Sequence, residues 1–243
     1  MIICGSLLFI FLSYLLGGLN GAILLCRIKG WNDPRHAGSK NPGSTNMLRL
    51  HHAQAACTVL IFDLLKGTFP VYLAYYLGFS PIFLGFIGIA TCLGHIFPPY
   101  FKFKGGKGVA TSLGVLLPLG TDMSALLILT WLVTLAISGY SSLAAIVTAI
   151  MAPIIIAQIK PEFTLPVLML SLLILLSHIS NIKRLVFLLL YPNKFLFILT
   201  TIFFKYRFPS ILQPGLCASP GKKTANIFAL KSTSLLCEIS ATK

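Results

Sequence analysis

Long apolar runs separated by short polar segments set the pattern of this chain. The runs fall near 2–26, 54–78, 81–98, 108–121, 124–138, 142–158 and 164–178. They are continuous rather than alternating, which predicts helices and not the strands of a membrane barrel. In hydrocarbon every backbone polar group must find a partner within the protein, and a helix meets that demand within one segment. Several runs are shorter than the roughly 20 residues of a perpendicular span, so tilt or burial of short helices in the bundle is expected. The predicted fold is all-α: one polytopic bundle of seven transmembrane helices.

Composition agrees. Of the 243 residues 56% are hydrophobic and 10% charged, against about 25% charged in a typical soluble domain. The mean hydropathy is +0.90. Met1-Ile2-Ile3-Cys4 lacks the basic segment that opens a cleavable signal, and Arg27 and Lys29 follow the first run. This predicts a retained first helix with its N-terminus outside. Seven spans then place 27–53, 99–107, 139–141 and 179–185 on the cytoplasmic side. Those segments carry Arg27, Lys29, Arg35, Lys40, Arg49, Lys102, Lys104, Lys107, Lys183 and Arg184. The opposite side receives Lys160 with Asp122 and Glu162. The positive-inside rule selects this topology.

The net charge of +14, from 19 Lys and Arg against 5 Asp and Glu, suits anionic lipid and phosphate. Nucleic acid is excluded as a partner, because no aromatic-basic module accompanies the charge. The six cysteines (4, 26, 57, 92, 217 and 237) form no CxxC pair, so no metal site or disulfide framework is expected. HxxxxD, HExxH and GxSxG are all missing, which argues against metal catalysis and a serine triad. No cofactor is implied.

Three polar clusters carry the candidate chemistry. Gly38–Arg49 (GSKNPGSTNMLR) contains Asn41-Pro42-Gly43, a turn in which glycine would take positive φ. Ser44, Thr45 or Asn46 would then cap a helix running through Leu48 toward Cys57. Such a turn suits an anion, and Arg49 could fork onto a phosphate. On spacing alone, an ordinary polar connector fits equally well. Lys104-Gly105-Gly106-Lys107-Gly108 opens the fourth run. Its spacing is not that of a nucleotide-binding P-loop, and three glycines in four positions exceed what topology needs. Close backbone approach to an anion is the reading favoured here. His178 and Asn181 end the seventh run three residues apart. Histidine can handle a proton near neutral pH, or it can simply stabilise a helix end; His95 carries the same two readings. Asp63 and Lys66, three apart within a span, read as a mutually neutralising pair inside the bundle.

Together these segments resemble the bacterial membrane glycerol-3-phosphate acyltransferases that use acyl phosphate. The resemblance rests on Gly30, Asp33 and Arg35, the run Gly38–Asn46 with Arg49, Asp63-Leu64-Leu65-Lys66-Gly67, Gly94-His95-Ile96-Phe97-Pro98, Lys102–Thr111, and His178, Asn181, Ile182, Arg184 and Leu185. It implies a seven-helix enzyme of the bacterial inner membrane with its active site facing the cytoplasm. The implied reaction moves a fatty acyl group from acyl phosphate to the 1-hydroxyl of glycerol 3-phosphate. It yields lysophosphatidic acid and phosphate, the first step of phospholipid synthesis. Carried over position by position, Ser39 and His178 become the central catalytic residues, with Asn181 beside His178. Asn41, Gly43, Thr45, Asn46 and Arg49 shape a first phosphate site, and Lys104, Gly105, Gly106, Lys107 and Gly108 form a second. With no carboxylate base at hand, the substrate's own phosphate would accept the hydroxyl proton while His178 orients the group.

Two departures stand out. Ile179 occupies the place of the basic residue that usually follows the motif histidine, and the Gly-x-Glu continuation after Leu185 is missing. The division expected is thus a membrane acyltransferase domain at 1–185 and an atypical hydrophobic, then basic, tail at 186–243 that is not catalytic. A transporter or flippase for a phosphorylated metabolite or lipid is the competing class. It would want polar groups at the bilayer midplane and often repeated halves, whereas here the polar groups gather on one face.

Overall fold

A computed structural model of the chain describes residues 2–190. The tail expected to be non-catalytic lies, from residue 191 onward, outside the described residues. The chain divides into two units, Met1–Val186 and Phe187–Lys243, and every candidate site residue belongs to the first.

Every regular element described is helical. The order is α1 (Ile2–Gly17), α2 (Gly21–Ile28), α3 (Ser44–Leu50), α4 (Ala53–Tyr76), α5 (Pro81–Ile96), α6 (Val109–Leu116), α7 (Thr121–Ser138), α8 (Ser141–Ile159), α9 (Thr164–Ser177) and α10 (Ile179–Leu190). Local sequence marks the ends. Pro81 sits in the first turn of α5, where its missing N–H costs nothing. Gly139 closes α7 at φ 70°, a conformation that L side chains resist. The His52 side chain accepts from Ala55 N at 3.3 Å and caps α4.

Among the described residues four helices are long and apolar enough to cross a membrane, or up to six if each bent pair counts as one span. The expected first span is such a pair: α1 and α2 are bent by 48° at residues 18–20. There the Asn20 side chain caps α2 by accepting from Ile23 N. The fourth expected span, 108–121, is the short apolar stretch Val109–Leu119, bounded by Gly108, which caps α6, and Gly120, which precedes α7. α9 and α10 form the second bent pair, at 62°, so the chain turns at His178 instead of running straight on.

α5 packs against α1, α4, α6 and α9, while α4 pairs with α6 and α8 lies between α7 and α9. Two crossings depend on backbone touching backbone. A Cβ on Gly67 would strike the Thr111 carbonyl, and one on Gly114 would strike the Leu64 carbonyl. The α1–α5 crossing repeats this with Gly17 against Thr91 and Gly94 against Tyr14. Small residues matter here because helices in lipid gain by close van der Waals packing and not by escape from water. The main core joins α4 to α9 through residues such as Val71, Ile87, Leu127 and Val167. A smaller cluster of Ala22, Cys26, Met47, Ala55 and Val59 pins α3 between α2 and α4.

Candidate functional site

The first polar segment departs from its predicted geometry. Gly43 is extended, at φ −145°, and it caps α3 without any side-chain hydrogen bond. The left-handed residues are instead Gly38 and Lys40, at φ 61° and 58°. Ser44, Thr45 and Asn46 lie inside α3, so none of them caps it. Nor does that helix run on to Cys57. It stops at Leu50, where the His51 ring stacks on Trp31 with centroids 3.9 Å apart, and His52 starts α4 afresh.

Asn46 has a different task. It is buried, its Oδ1 accepts from Ser39 N at 2.8 Å, and its Nδ2 donates to Pro34 O at 3.0 Å and Ala37 O at 3.2 Å. One amide thus folds residues 34–39 around itself, and its polar atoms are engaged inside the protein. Asn20 adds a tie from α2, donating to Pro42 O at 3.2 Å. Ser39, Thr45 and Arg49 are exposed and Asn41 is half-buried. Thr45 Oγ1 lies 3.3 Å from Ser141 Oγ.

Arg35 joins the first loop to the second. It pairs with Asp33 at 2.6 Å and donates from Nη1 to Phe101 O at 2.8 Å and Lys104 O at 3.3 Å. The hydrogen bonds and charge of Arg35 hold the Asp33 carboxyl below its ordinary range, and Asp33 in turn raises the guanidinium. The clamp stays ionised across the physiological range.

The second loop turns back on the end of α5. Phe103 N donates to Pro98 O at 3.0 Å, Gly105 N to Ile96 O and Gly106 N to His95 O, both at 3.1 Å. Carbonyls that a helix end leaves unpartnered are thereby satisfied. The glycines are needed for this fit. A Cβ on Gly105 would strike the His95 carbonyl, and one on Gly106 would strike the His95 ring at Nε2. Gly108, at φ 80°, caps α6. The fit against His95 is a second requirement for glycine at 105 and 106, one that the sequence did not suggest. Lys104 is exposed and Lys107 half-buried.

Lys107 is the point where the second and third segments meet. Its Nζ donates to Asn181 Oδ1, and its carbonyl accepts from Ser177 Oγ at 3.0 Å. Desolvation lowers the Lys107 pKa, and the nearby charges of Arg184 and Arg49 lower it further. Lys107 and Asn181 thus join the second loop to α10. His178, one residue after α9, is buried, with Nδ1 2.9 Å from Ile174 O. A carbonyl can only accept, so the ring proton sits on Nδ1 and the Nε2 lone pair is left for other work. No hydrogen bond joins Ser39 to His178 among the described residues.

Sequence reasoning gave no site role to Arg184 or Arg35, although both belong to quoted motif segments. It also left His95 undecided. In the folded chain, Lys66 Nζ lies 2.7 Å from Asp63 Oδ1, 2.7 Å from Leu19 O and 2.8 Å from His95 Nδ1. The inferred Asp63–Lys66 neutralisation is present, and His95 joins it. No group of three or more residues able to hold a metal ion occurs among the described residues.

Fold and site together define a multi-pass α-helical membrane protein with a basic, glycine-rich polar site. The family described as glycerol-3-phosphate acyltransferase matches residues 7–187. A protein of that name from Tolumonas auensis is 58% identical over 174 residues, covering 72% of this chain and 86% of its own length. Another, from Erwinia tasmaniensis, is 56% identical over 181 residues, covering 74% and 87%. The crystal structure of PlsY (YgiH), an integral membrane glycerol 3-phosphate acyltransferase, in its glycerol 3-phosphate form aligns with a TM-score of 0.71. That alignment has 33% identity and covers 75% of this chain and 92% of the other. Its lysophosphatidic acid form aligns at 0.70 with 32% identity. This chain belongs to the glycerol-3-phosphate acyltransferase family. It is an acyltransferase enzyme of phospholipid synthesis.

Proposed function

We propose that the protein takes its acyl group from acyl phosphate and transfers it to the 1-hydroxyl of glycerol 3-phosphate, releasing lysophosphatidic acid and phosphate. The observation that carries this reading is the contact of Lys107 Nζ with Asn181 Oδ1, which joins the glycine-rich second loop to α10. Lys107 is half-buried, and the charges of Arg184 and Arg49 add to the positive field around it; such a field favours bound anion, and both substrates carry a phosphate. The solved relative bears glycerol 3-phosphate in one form and lysophosphatidic acid in the other, which agrees with the acceptor and product named here.

Acyl phosphate is already activated, so the protein has mainly to orient and to stabilise charge. Lys104, Lys107, Arg49 and Arg184 neutralise the phosphates, the exposed Ser39 binds at the reacting end, and Asn181 holds Lys107. His178 Nε2 accepts the hydrogen bond of the 1-hydroxyl and passes the proton to the departing phosphate. The new ester bond forms as the acyl–phosphate bond breaks. An apolar cavity lined by Val109, Ser112, Ala149 and Ile174 adjoins Gly108 and lies one turn from His178, a setting suited to the acyl chain.

The enzyme sits in the bacterial inner membrane with the N-terminus outside, seven crossings within residues 1–185 and the loops toward the cytoplasm. α1 with α2 supplies the first crossing and the short α6 region the fourth. Positive-inside bias supports this orientation. Reconstituted protein tests the function directly: phosphate release from acyl phosphate must depend on glycerol 3-phosphate and yield lysophosphatidic acid. Counterflow of a phosphorylated solute without covalent product would establish a transporter instead. Single cysteines at positions 43, 106 and 182 must label from one side, opposite to position 122 or 162.

A further inference from the structure

Inside the bundle, away from the cations at Lys107, lies a charged group that acyl transfer leaves unused. Asp63 and Lys66 on α4 and His95 near the end of α5 are 2%, 5% and 4% exposed. Charge is costly to bury in a helical membrane protein, and where it persists it marks a task. Here the contacts identify the task.

Lysine carries three N–H donors and no acceptor. Lys66 Nζ has three partners at hydrogen-bonding distance: Leu19 O and Asp63 Oδ1, each at 2.7 Å, and His95 Nδ1 at 2.8 Å. All three donors are engaged, so Nδ1 of His95 must accept. The neutral ring then keeps its proton on Nε2, the edge turned to the second loop. This is the opposite tautomer to His178, whose Nδ1 bears the proton. Asp63 Oδ1 also accepts from Gly21 N at 3.3 Å. The lysine thus ties together the break between α1 and α2, the middle of α4 and the end of α5.

From the ring the linkage passes straight to the loop. The Nε2 edge fills the space that a side chain at position 106 would need, and the His95 carbonyl accepts from Gly106 N at 3.1 Å. Gly105 lies against that same carbonyl and is bonded to Ile96 O. Lys107 comes next in the chain. Its orientation relative to Asn181 therefore depends on where the backbone of Gly105-Gly106 is set.

We propose that Asp63, Lys66 and His95 are positioning residues for the phosphate-binding loop 104–108. The buried ion pair locks the His95 ring, and the Nε2 edge of that ring sets the loop backbone that aims Lys107. The inference rests on the reading that this loop takes a substrate phosphate. It accounts for two facts at once: a costly buried charge array and two adjacent glycines with no positive φ.

Two replacements of His95 separate positioning from folding. His95→Asn keeps an acceptor at the Nδ1 position for Lys66 but leaves the Nε2 edge empty. His95→Gln reaches the Nε2 position. Purified variants are assayed for the KM of each substrate, for kcat and for thermal unfolding in detergent. For His95→Asn we expect unfolding near the parental temperature and a KM raised about tenfold or more for one phosphorylated substrate, the same one affected by Lys107→Ala, since small displacements of a binding group cost on that scale. His95→Gln should recover most of that KM. Gly106→Ala should impair the parental enzyme but cost little further in a His95→Ala background, where the ring no longer occupies the space.

If Lys107→Ala raises a KM while His95→Asn leaves both KM values parental, the loop binds phosphate without this array and the proposal fails alone. If neither variant changes a KM, the phosphate reading of the loop fails and takes the proposal with it. Equal loss in Asn and Gln variants, matched by an equal fall in unfolding temperature, would reduce His95 to a packing residue and also overturn it.

Discussion

The two glycine-bearing loops look alike in sequence and are built on different principles. The first, 38–49, is organised by one side chain: Asn46 holds Ser39 N, Pro34 O and Ala37 O. The second, 102–108, is organised by backbone, its N–H groups laid on the carbonyls that end α5. Their glycines differ accordingly. Gly38 is needed for its left-handed φ of 61° and its closeness to Asn46, while Gly43 is extended with only Asn41 Nδ2 near, 3.3 Å from an added Cβ. Gly105 and Gly106 need no unusual φ; they need room against His95. A glycine-rich motif is therefore not one physical device, and its tolerance to substitution depends on what lies opposite each Cα.

The sharpest way to break this comparison is to fill the two sites. Gly106→Val should abolish acyl transfer, a loss of about 100-fold or more, because an active-site backbone displaced by about 1 Å costs that much. Gly43→Ala should keep activity within about threefold on the same grounds of geometry, since its extended backbone suits any residue. Initial rates of glycerol 3-phosphate-dependent phosphate release in matched membranes decide it. Equal damage at both positions would refute the distinction.

Next in size is the buried charge behind the second loop. Lys66→Met leaves the Asp63 carboxylate without its cation and should cost about 3–5 kcal/mol, whereas the double change Asp63→Leu with Lys66→Met should recover much of that stability. Detergent unfolding curves provide the check. A Lys66→Met protein as stable as the parent would mean that the array carries no energetic weight.

The first loop should yield to its single organiser. Asn46→Ala strands Ser39 N and two carbonyls, a loss of about 1–3 kcal/mol for a buried group left unsatisfied. Turnover should fall while the second-loop substrate keeps its KM. An equal rise in both KM values would show that the loops are coupled more tightly than their separate supports suggest.

The smallest effect tests electrostatics. Burial and the charges of Arg184 and Arg49 lower the Lys107 pKa. Lys107 is charged below that value, so its pull on phosphate is complete at lower pH and is lost as pH rises through a pKa below the ordinary lysine range. Substrate affinity should therefore decline on the alkaline side sooner than a free lysine would allow, and Lys107→Arg should move that decline upward. A profile of 1/KM against pH measures it; identical alkaline limbs in the two proteins would exclude Lys107 as the titrating group.

Much of this is legible in the chain and some of it is not. The seven apolar runs correspond to helical regions, because burying backbone in hydrocarbon leaves few alternatives to a helix. The Asp63–Lys66 pair is legible from its three-residue spacing. The capping of α3 is not: Ser44, Thr45 and Asn46 all have cap chemistry, yet all three lie inside the helix and Gly43 caps it, while Asn46 finds its partners at Pro34, Ala37 and Ser39. The break in the first span is hidden for a related reason, since Asn20 can cap a helix only where the chain has already turned. Gly105 and Gly106 stand out in the sequence but their packing partner does not, because His95 lies ten residues before Gly105 and meets them only when the loop folds back.

What the sequence by itself determined is therefore whatever rests on local chemistry and on the solvent: helices where the runs are apolar, basic segments gathered between runs, and the motifs that place the chain in its family. Tertiary structure alone decided which groups face one another. It brought Lys107 to Asn181 with Arg49 and Arg184 close by, set His95 against Gly106, and fixed opposite tautomers on two histidines by giving one a lysine and the other a carbonyl. The Lys107–Asn181 and Lys66–His95 contacts span 74 and 29 residues, and no local propensity encodes them; they exist because close packing of the helices leaves each buried polar group a particular partner.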